Sequence, residues 1–409
     1  MLRIVNLDQA QSFIARKAVR LAEAEQVVAP ILDAVRKRGD EAVLEYARKF
    51  DGFEGYDFRV SLKDASVSDE FASALETAAR NIREFAEMQI PRENWSVSRD
   101  GRELGQIVRP LESMGAYIPA GRYPLPSTVL MTVIPAQVAG VKNICVVSPH
   151  PAAEILAAAR FLGLSSVFKI GGAQAIAALA FGTATIPKVD RIVGPGNIYV
   201  AAAKKLLAGE VGIDFVAGPT EIAIIASDAD PRYVAADMLA QAEHDADASS
   251  ILFTTSRKLA EQVAAEVAKQ LQSLPTASVA CESIRNNSAV VLCPHLEAAV
   301  AACNQLAPEH LVIYDESLLR EIQHAGSIFV GPHSPEAAGD YASGPNHVLP
   351  TSGAARLRGG LSAADFVKVI SVQKLSEAGL HSLAPAITTL ARAEGLEAHA
   401  RSVEVRLGK

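Results

Sequence analysis

Several groups of residues in this chain have types and spacings that could do chemistry. In QAEHDADASS, Gln241 and His244 stand three positions apart on a segment with helical periodicity and so share a face, with Asp237 one turn earlier. A helical histidine beside an oxygen donor can form half of a zinc site, where imidazole and carboxylate are usual and an amide oxygen is less so. The simpler reading is a histidine complementing the dipole at a helix C-terminus. In APEHLVIY, Glu309 and His310 open a strand after a helical run. Imidazole titrates near neutrality and a carboxylate beside it can activate water. Neighbouring side chains on a strand point to opposite faces, so the two read as a surface pair unless a turn intervenes. Asp340 and His347, in GDYASGPNHVLP, sit among glycines that let backbone approach a ligand closely. Glu394 and His399, in ARAEGLEAHAR, form a polar set near the C-terminus, and one metal could draw an aspartate from the loop and a histidine from the tail.

For a nucleotide, the candidate glycines are Gly171 and Gly172 in KIGGAQAIAALA and Gly194 and Gly196 in IVGPGNIYV. Neither pair completes the dinucleotide fingerprint: the second lacks its third glycine and the first lacks the intervening residue. Tight packing of each turn explains them singly, although a strand-to-helix turn still offers free amides to phosphate. The segment AYIPAGRYPLPSTVLM places Tyr117, Arg122 and Ser127 in a Pro/Gly-rich loop before a helix, and the lone Trp95 reads as a packing residue.

These residues need elements to hold them. From Ala15 to about Met88 apolar residues recur at three- and four-residue spacing, which predicts an all-helical entry. After Pro91, short β-branched runs alternate with Ala-rich helical stretches: strands near Gly115–Ile118, ICVVS, VFKIG and RIVGPG, then EIAIIAS, ILFTT, AVVLC, LVIY and SIFVG. Strands spaced by single helices predict parallel sheets with crossover helices. The predicted organisation is a helical region over 1–116 leading into the first α/β domain, Rossmann-like α/β domains over 117–219 and 220–361, and a small helical tail over 362–409 whose last amphipathic helix covers Ala384 to His399. Residues 331–360, rich in Gly, Pro, Ser and Asn, are too long for a simple connection, and their two histidines and aspartate favour a functional loop over a linker.

The chain's 409 residues suffice for two to three domains at about 150 residues each. Lys plus Arg is 39 and Asp plus Glu is 46, a formal charge of −7, with no dense basic block, so no surface offers itself to a phosphate backbone and nucleic acid is not an expected partner. No run approaches the roughly 20 apolar residues of a membrane span, and the start lacks a leader-like pattern, so the expected location is the cytoplasm. Cys145, Cys281, Cys293 and Cys303 form no CxxC pair and read as reduced core or near-core thiols.

In their order, FKIGGAQAIAALAFGTATIPKVDRIVGPGNIYVAAAK, IDFVAGPTEIAIIAS, QAEHDADASSIL, APEHL, GDYASGPNHVLPTSGAAR and AEGLEAHARSVEVR closely resemble the histidinol dehydrogenase family, over about Met114 to Arg406. The resemblance implies oxidation of L-histidinol to L-histidine through L-histidinal with two NAD⁺, one Zn²⁺ per active site, and an intertwined homodimer. It makes Gln241, His244, Asp340 and His399 the zinc ligands, with His399 lent by the partner subunit's tail. It places Glu309 and His310 on the catalytic pair, adds Thr220, His347 and Glu394 as substrate contacts alongside the zinc ligands and His310, and puts Tyr117, Gln174 and Asn197 on NAD. In one loop this chain has Ala120-Gly121 followed by Arg122-Tyr123 where many members carry a double glycine. Two other readings are a paralogous zinc/NAD alcohol dehydrogenase for another small polar alcohol, such as an amino alcohol or a sulfonated diol, and a catalytically silent binding protein of the same fold. Arg122 would suit an anionic substrate, whereas Glu394 favours a cationic group and hence histidinol.

Overall fold

The computed structural model describes residues 2–14, 19–92, 96–119 and 123–409; Trp95 and the Ala120-Gly121-Arg122 stretch lie outside the described residues. The fold is α/β with parallel sheets. Two compact units divide it, one of residues 1–89 and 112–365, the other of 90–111 and 366–409.

The larger unit holds two six-stranded sheets. In the first, the strands run Arg59–Ser61, Ser166–Phe168, Asn143–Val147, Ser113–Tyr117, Arg191–Val193, Gly212–Ile213, parallel except for the antiparallel first pair. In the second they run Arg3–Asn6, Ala289–Leu292, Ser249–Thr254, Glu221–Ile225, His310–Ile313, Ser327–Val330, all parallel. Leaving out the strand each sheet takes from the first 61 residues, both follow the order 3-2-1-4-5. The chain therefore reverses its winding direction beside Ser113–Tyr117 in one sheet and beside Glu221–Ile225 in the other. The entry segment is not all-helical as its periodicity suggests: between the helices Asp40–Asp51 and Asp69–Met88 it supplies the edge strand Arg59–Ser61 to the first sheet, and ahead of the helix Val19–Arg38 the strand Arg3–Asn6 edges the second. Three- and four-residue strands are too short to show an alternation in sequence, and partner strands decide them.

Burial follows the two periodicities. Along Glu221–Ile225, Ile222 and Ile224 face the helices Pro231–Ala242, Arg257–Gln270 and Ala277–Asn287, while Ala223 and Ile225 face Leu296–Leu306. Covered on both sides, such strands read as continuous apolar runs. Each fully buried Ile contributes about 1.5–3 kcal/mol relative to exposure. Cys145, Cys293 and Cys303 are buried and all four thiols are free. No helix among the described residues is long and apolar enough to cross a membrane.

The smaller unit is an antiparallel sheet, Val367–Leu375 beside Arg102–Pro110 beside Ser96–Arg99, with the helices Glu377–Ala393 and Glu397–Glu404. The sequence reading assigned none of these strands, because they mix charged and apolar residues without a buried face: Val369, Ile370 and Val372 are exposed.

Candidate active site and metal centre

Seven of the residues proposed for chemistry, Thr220, Gln241, His244, Glu309, His310, Asp340 and His347, gather at the second sheet of the larger unit, around the amino ends of its central strands. His310 begins the strand His310–Ile313, with Glu309 in a bend just before it. That bend is the intervening turn: the two are no surface pair but are both buried, with Glu309 Oε2 3.7 Å from His310 Nδ1. Glu309 Oε2 also accepts from the Thr220 hydroxyl at 2.5 Å and from the Glu221 amide at 3.0 Å, groups at the start of the neighbouring strand. His310 Nδ1 lies 3.4 Å from the Glu221 carbonyl. Its Nε2 is buried, makes no hydrogen bond among the described residues, and faces Asp340 Oδ1 at 3.4 Å.

Gln241 lies in the last turn of the helix Pro231–Ala242 and is fully buried. The helix stops short of His244, because Asp245 turns to accept the Asp247 amide at 2.8 Å and acidic side chains oppose a helix C-terminus. His244 therefore stands in the turn beyond, its Nε2 3.9 Å from Asp340 Oδ2. Asp237 is half-buried and its carboxyl is pushed up to about 7 by burial.

The long Gly/Pro-rich stretch is an ordered loop built around the short helix Glu336–Tyr341. One turn apart, Glu336 and Asp340 share a face of that helix. A Cβ on Gly339 would come within 2.6 Å of the Phe329 ring, so a glycine there lets the helix lie against Phe329, which stacks on His310 with centroids 6.1 Å apart. The loop is tied to the first half of the unit: Asn346 donates to the Met131 carbonyl at 2.6 Å, and His347 Nε2 meets Thr128 Oγ1 at 3.1 Å while its Nδ1 meets the Asp340 carbonyl at 2.8 Å.

One donor atom each from His244, Glu336 and Asp340 lies within 4.8 Å of the others. Glu309, Glu336 and Asp340 have no Lys or Arg as ion-pair partner among the described residues; the facing imidazoles are their only basic neighbours. Burial raises the carboxyls of Glu309 and Glu336, the latter well above its usual range. Burial also works against the charged forms of Asp340 and His310. For Asp340 the imidazoles of His310, His347 and His244 outweigh it and hold the carboxyl low; for His310 the carboxylates of Glu309, Glu336 and Asp340 outweigh it and push the imidazole up to about 10. Clustered buried carboxylates without a guanidinium or ammonium among the described residues, facing an imidazole nitrogen that makes no hydrogen bond, form a site whose donors could hold a divalent cation.

A family model described as Histidinol dehydrogenase matches residues 14–407. The chain belongs to the histidinol dehydrogenase family. It is 48% identical to the histidinol dehydrogenase of Geobacter metallireducens over 99% of this chain and 97% of that one. It is also 48% identical to that of Halalkalibacterium halodurans, over 94% of each. The crystal structure of histidinol dehydrogenase from Elizabethkingia anophelis shares the fold with a TM-score of 0.95 at 40% identity, covering 100% of this chain and 98% of that chain.

Within this histidinol dehydrogenase-family chain, the structure brings Thr220, Gln241, His244, Glu309, His310, Asp340 and His347 together. Glu394 and His399 belong to the smaller unit, where both are exposed. The nucleotide candidates stand at the carboxyl ends of the first sheet, on either side of its winding reversal, where α/β sheets commonly bind ligands. Tyr117 ends one central strand, and Asn197 caps the helix Ile198–Leu207 after its neighbour, accepting from the Tyr199 and Val200 amides at 3.0 and 3.1 Å. Gly171 and Gly172 do not present free amides: Gly171 donates to Asp51 at 3.1 Å and Gly172 to the Tyr117 hydroxyl at 3.3 Å, while Gln174 donates to the same Asp51 carboxylate at 3.1 Å. The Gly194 turn is pinned by a buried Lys204–Asp214 ion pair, in which Lys204 donates to the Gly194 carbonyl at 3.1 Å and Asp214 accepts its amide at 2.8 Å. Removing either partner strands a buried charge, at a cost of about 3–5 kcal/mol.

Sequence reasoning missed Asp51 and Glu336. Asp51 ends a helix with no motif around it. Glu336 stands four positions before Asp340, a spacing that marks one helical face once that segment is known to be helical.

Proposed function

We propose that this chain carries out the histidinol dehydrogenase reaction, the four-electron oxidation of L-histidinol to L-histidine through L-histidinal, with one Zn²⁺ per site and NAD⁺ as oxidant. The observation that carries this reading is the buried Glu309–His310 pair facing the His244–Glu336–Asp340 cluster. Two hydrides leave the carbinol carbon and one water enters, so the site needs a base for the alcohol, a base for water and a fixed substrate. When bound, Zn²⁺ supplies a clamp for the amino and imidazole nitrogens of the substrate and NAD⁺ supplies the hydride acceptor. Gln241, His244 and Asp340 of this chain, with His399 of a second copy, are the residues that would hold the metal.

His310 takes the hydroxyl proton at its unoccupied Nε2 in the first oxidation and acts again in the second. Glu309 takes a proton from the water that adds to the aldehyde. Thr220 and His347 contact substrate, and Glu394 accepts a hydrogen bond from its cationic group. Tyr117, Gln174 and Asn197 face NAD⁺ at the carboxyl ends of the first sheet, which together with the second we read as a pair of Rossmann-like domains. The paralogue alternative differs only in the alcohol oxidised, and a panel of histidinol, histidinal, an amino alcohol and a sulfonated diol, assayed by NADH formation with NAD⁺ and zinc, separates the two. Turnover of histidinol and histidinal, and of neither other alcohol, is expected; turnover of another alcohol in their place overturns the substrate assignment, and no turnover of any supports a silent binding protein.

His244→Asn is expected to release zinc and activity together, since losing one donor weakens both metal retention and substrate docking. Full turnover with zinc retained would remove His244 from the site. The exposed apolar residues Val369, Ile370, Val372, Leu390 and Val405 of the smaller unit support an intertwined homodimer in which that unit meets a second copy. An inactive His399 variant mixed with an inactive His310 variant is then expected to regain activity on subunit exchange, because one of the two mixed sites is intact. Continued inactivity of verified mixed dimers would place His399 in its own chain's site. The free thiols support the cytoplasm as the place of the reaction.

A further inference from the structure

Glu336 is absent from the ligand set the family resemblance implies, yet it is the most deeply buried acid of the cluster, 1% exposed. Both its carboxylate oxygens lie against the Gln241 side-chain amide, at 2.6 and 2.9 Å from one amide atom. The amide has two settings. With nitrogen toward Glu336, it donates to both carboxylate oxygens, and its oxygen accepts from the Glu221 amide at 3.2 Å and meets Thr220 Oγ1 at 2.5 Å, whose one proton then goes either to it or to Glu309. With oxygen toward Glu336, its nitrogen instead donates to Thr220 Oγ1 at 2.5 Å, and the amide oxygen and the carboxylate face each other beside His244 and Asp340. Oxygen donors facing each other this closely repel unless a proton or a cation lies between them. The second setting therefore fits a site that holds a cation, or a protonated Glu336, and the first an empty site with Glu336 ionised.

We propose that Glu336 is a positioning residue of the metal site: its carboxylate supplies a second negative charge facing the ion and governs which end of the Gln241 amide is presented to it. This rests on the zinc reading above. The local structure supports it independently of the family's ligand set, because the orphaned Nε2 of buried His310 is aimed into the same cluster and no Lys or Arg pairs with Glu336 among the described residues. Without Glu336 the site keeps its other donors but loses charge and the group that orders one of them.

The test uses the full chain stripped with a chelator and titrated with Zn²⁺ against a chromophoric competitor, in the wild type, Glu336→Gln, Glu336→Asp and His244→Asn. Co²⁺ loading reports ligand geometry through its visible spectrum. Glu336→Gln is expected to bind Zn²⁺ about 10- to 100-fold more weakly, as losses of groups that orient metal ligands do, and to shift the Co²⁺ spectrum, while melting like the wild type in the presence of chelator. Glu336→Asp withdraws the carboxylate by one methylene and is expected to fall between; it carries the test if the Gln variant does not fold. Wild-type Zn²⁺ affinity and an unchanged Co²⁺ spectrum in the folded variants, with His244→Asn impaired, overturn the role of Glu336. A wild type that binds no Zn²⁺ overturns the zinc reading instead.

Discussion

His310→Asn is expected to slow both half-reactions, histidinol to histidinal and histidinal to histidine, by about 10²- to 10⁴-fold, the range a positioned general base contributes. The geometry makes the loss common to both steps. His310 Nε2 is buried, has no hydrogen-bond partner among the described residues and faces the cluster where the alcohol would be held, so in the proposed mechanism the same nitrogen would serve each oxidation. Asparagine keeps a polar side chain of similar reach but no group that can accept a proton near neutrality. Zinc content is expected to be unchanged, because His310 is not among the donors assigned to the metal, and this separates loss of the base from loss of the site. The carboxylates of Glu309, Glu336 and Asp340 push the imidazole up to about 10 against the effect of burial. In the proposed role His310 must be neutral, and a cation offsetting those carboxylates would bring it toward that form. Rates on both substrates that match the wild type would mean the base is elsewhere.

Glu309→Gln is expected to act on one half-reaction more than the other. Oxidation of added histidinal needs a hydrate and should fall by about 10²-fold or more, whereas oxidation of histidinol to the aldehyde level should be spared. Glutamine preserves the volume and can still accept from Thr220 and the Glu221 amide through its oxygen, but it cannot take a proton from water. Single-turnover NADH formation from histidinol, compared with steady-state turnover of histidinal, reads the two steps separately. Burial raises the Glu309 carboxyl above the usual carboxylate range. A base with a raised pKa is lost on acidification at correspondingly higher pH, so the acid limb of histidinal oxidation should lie above that of an ordinary glutamate and should disappear in the Gln variant. Equal loss of both half-reactions would refute the water-activating role.

Much of the larger unit was legible in the sequence, and the physical reason is local. Parallel strands buried on both faces, such as Glu221–Ile225 and Ser249–Thr254, must be apolar along their length, and the crossover helices between them carry a different period. The smaller unit's strands were not legible, since Val367–Leu375 alternates without burying a face. The same holds for Arg3–Asn6 and Arg59–Ser61, which become strands only because a sheet edge is waiting for them.

By itself the sequence determined the residue types that could do chemistry, the alternation of strands and helices that carries them and, through several unusual segments in collinear order, the family. Only the tertiary structure decided that Glu309 and His310 meet inside the protein rather than on its surface, because a bend before the strand overrides the alternation of side chains. It alone set Glu336 beside Gln241 and occupied the Gly171 and Gly172 amides with Asp51 and Tyr117. Residues nearly 100 positions apart are neighbours here through strand order and helix packing, and one chain's local spacing does not encode that proximity.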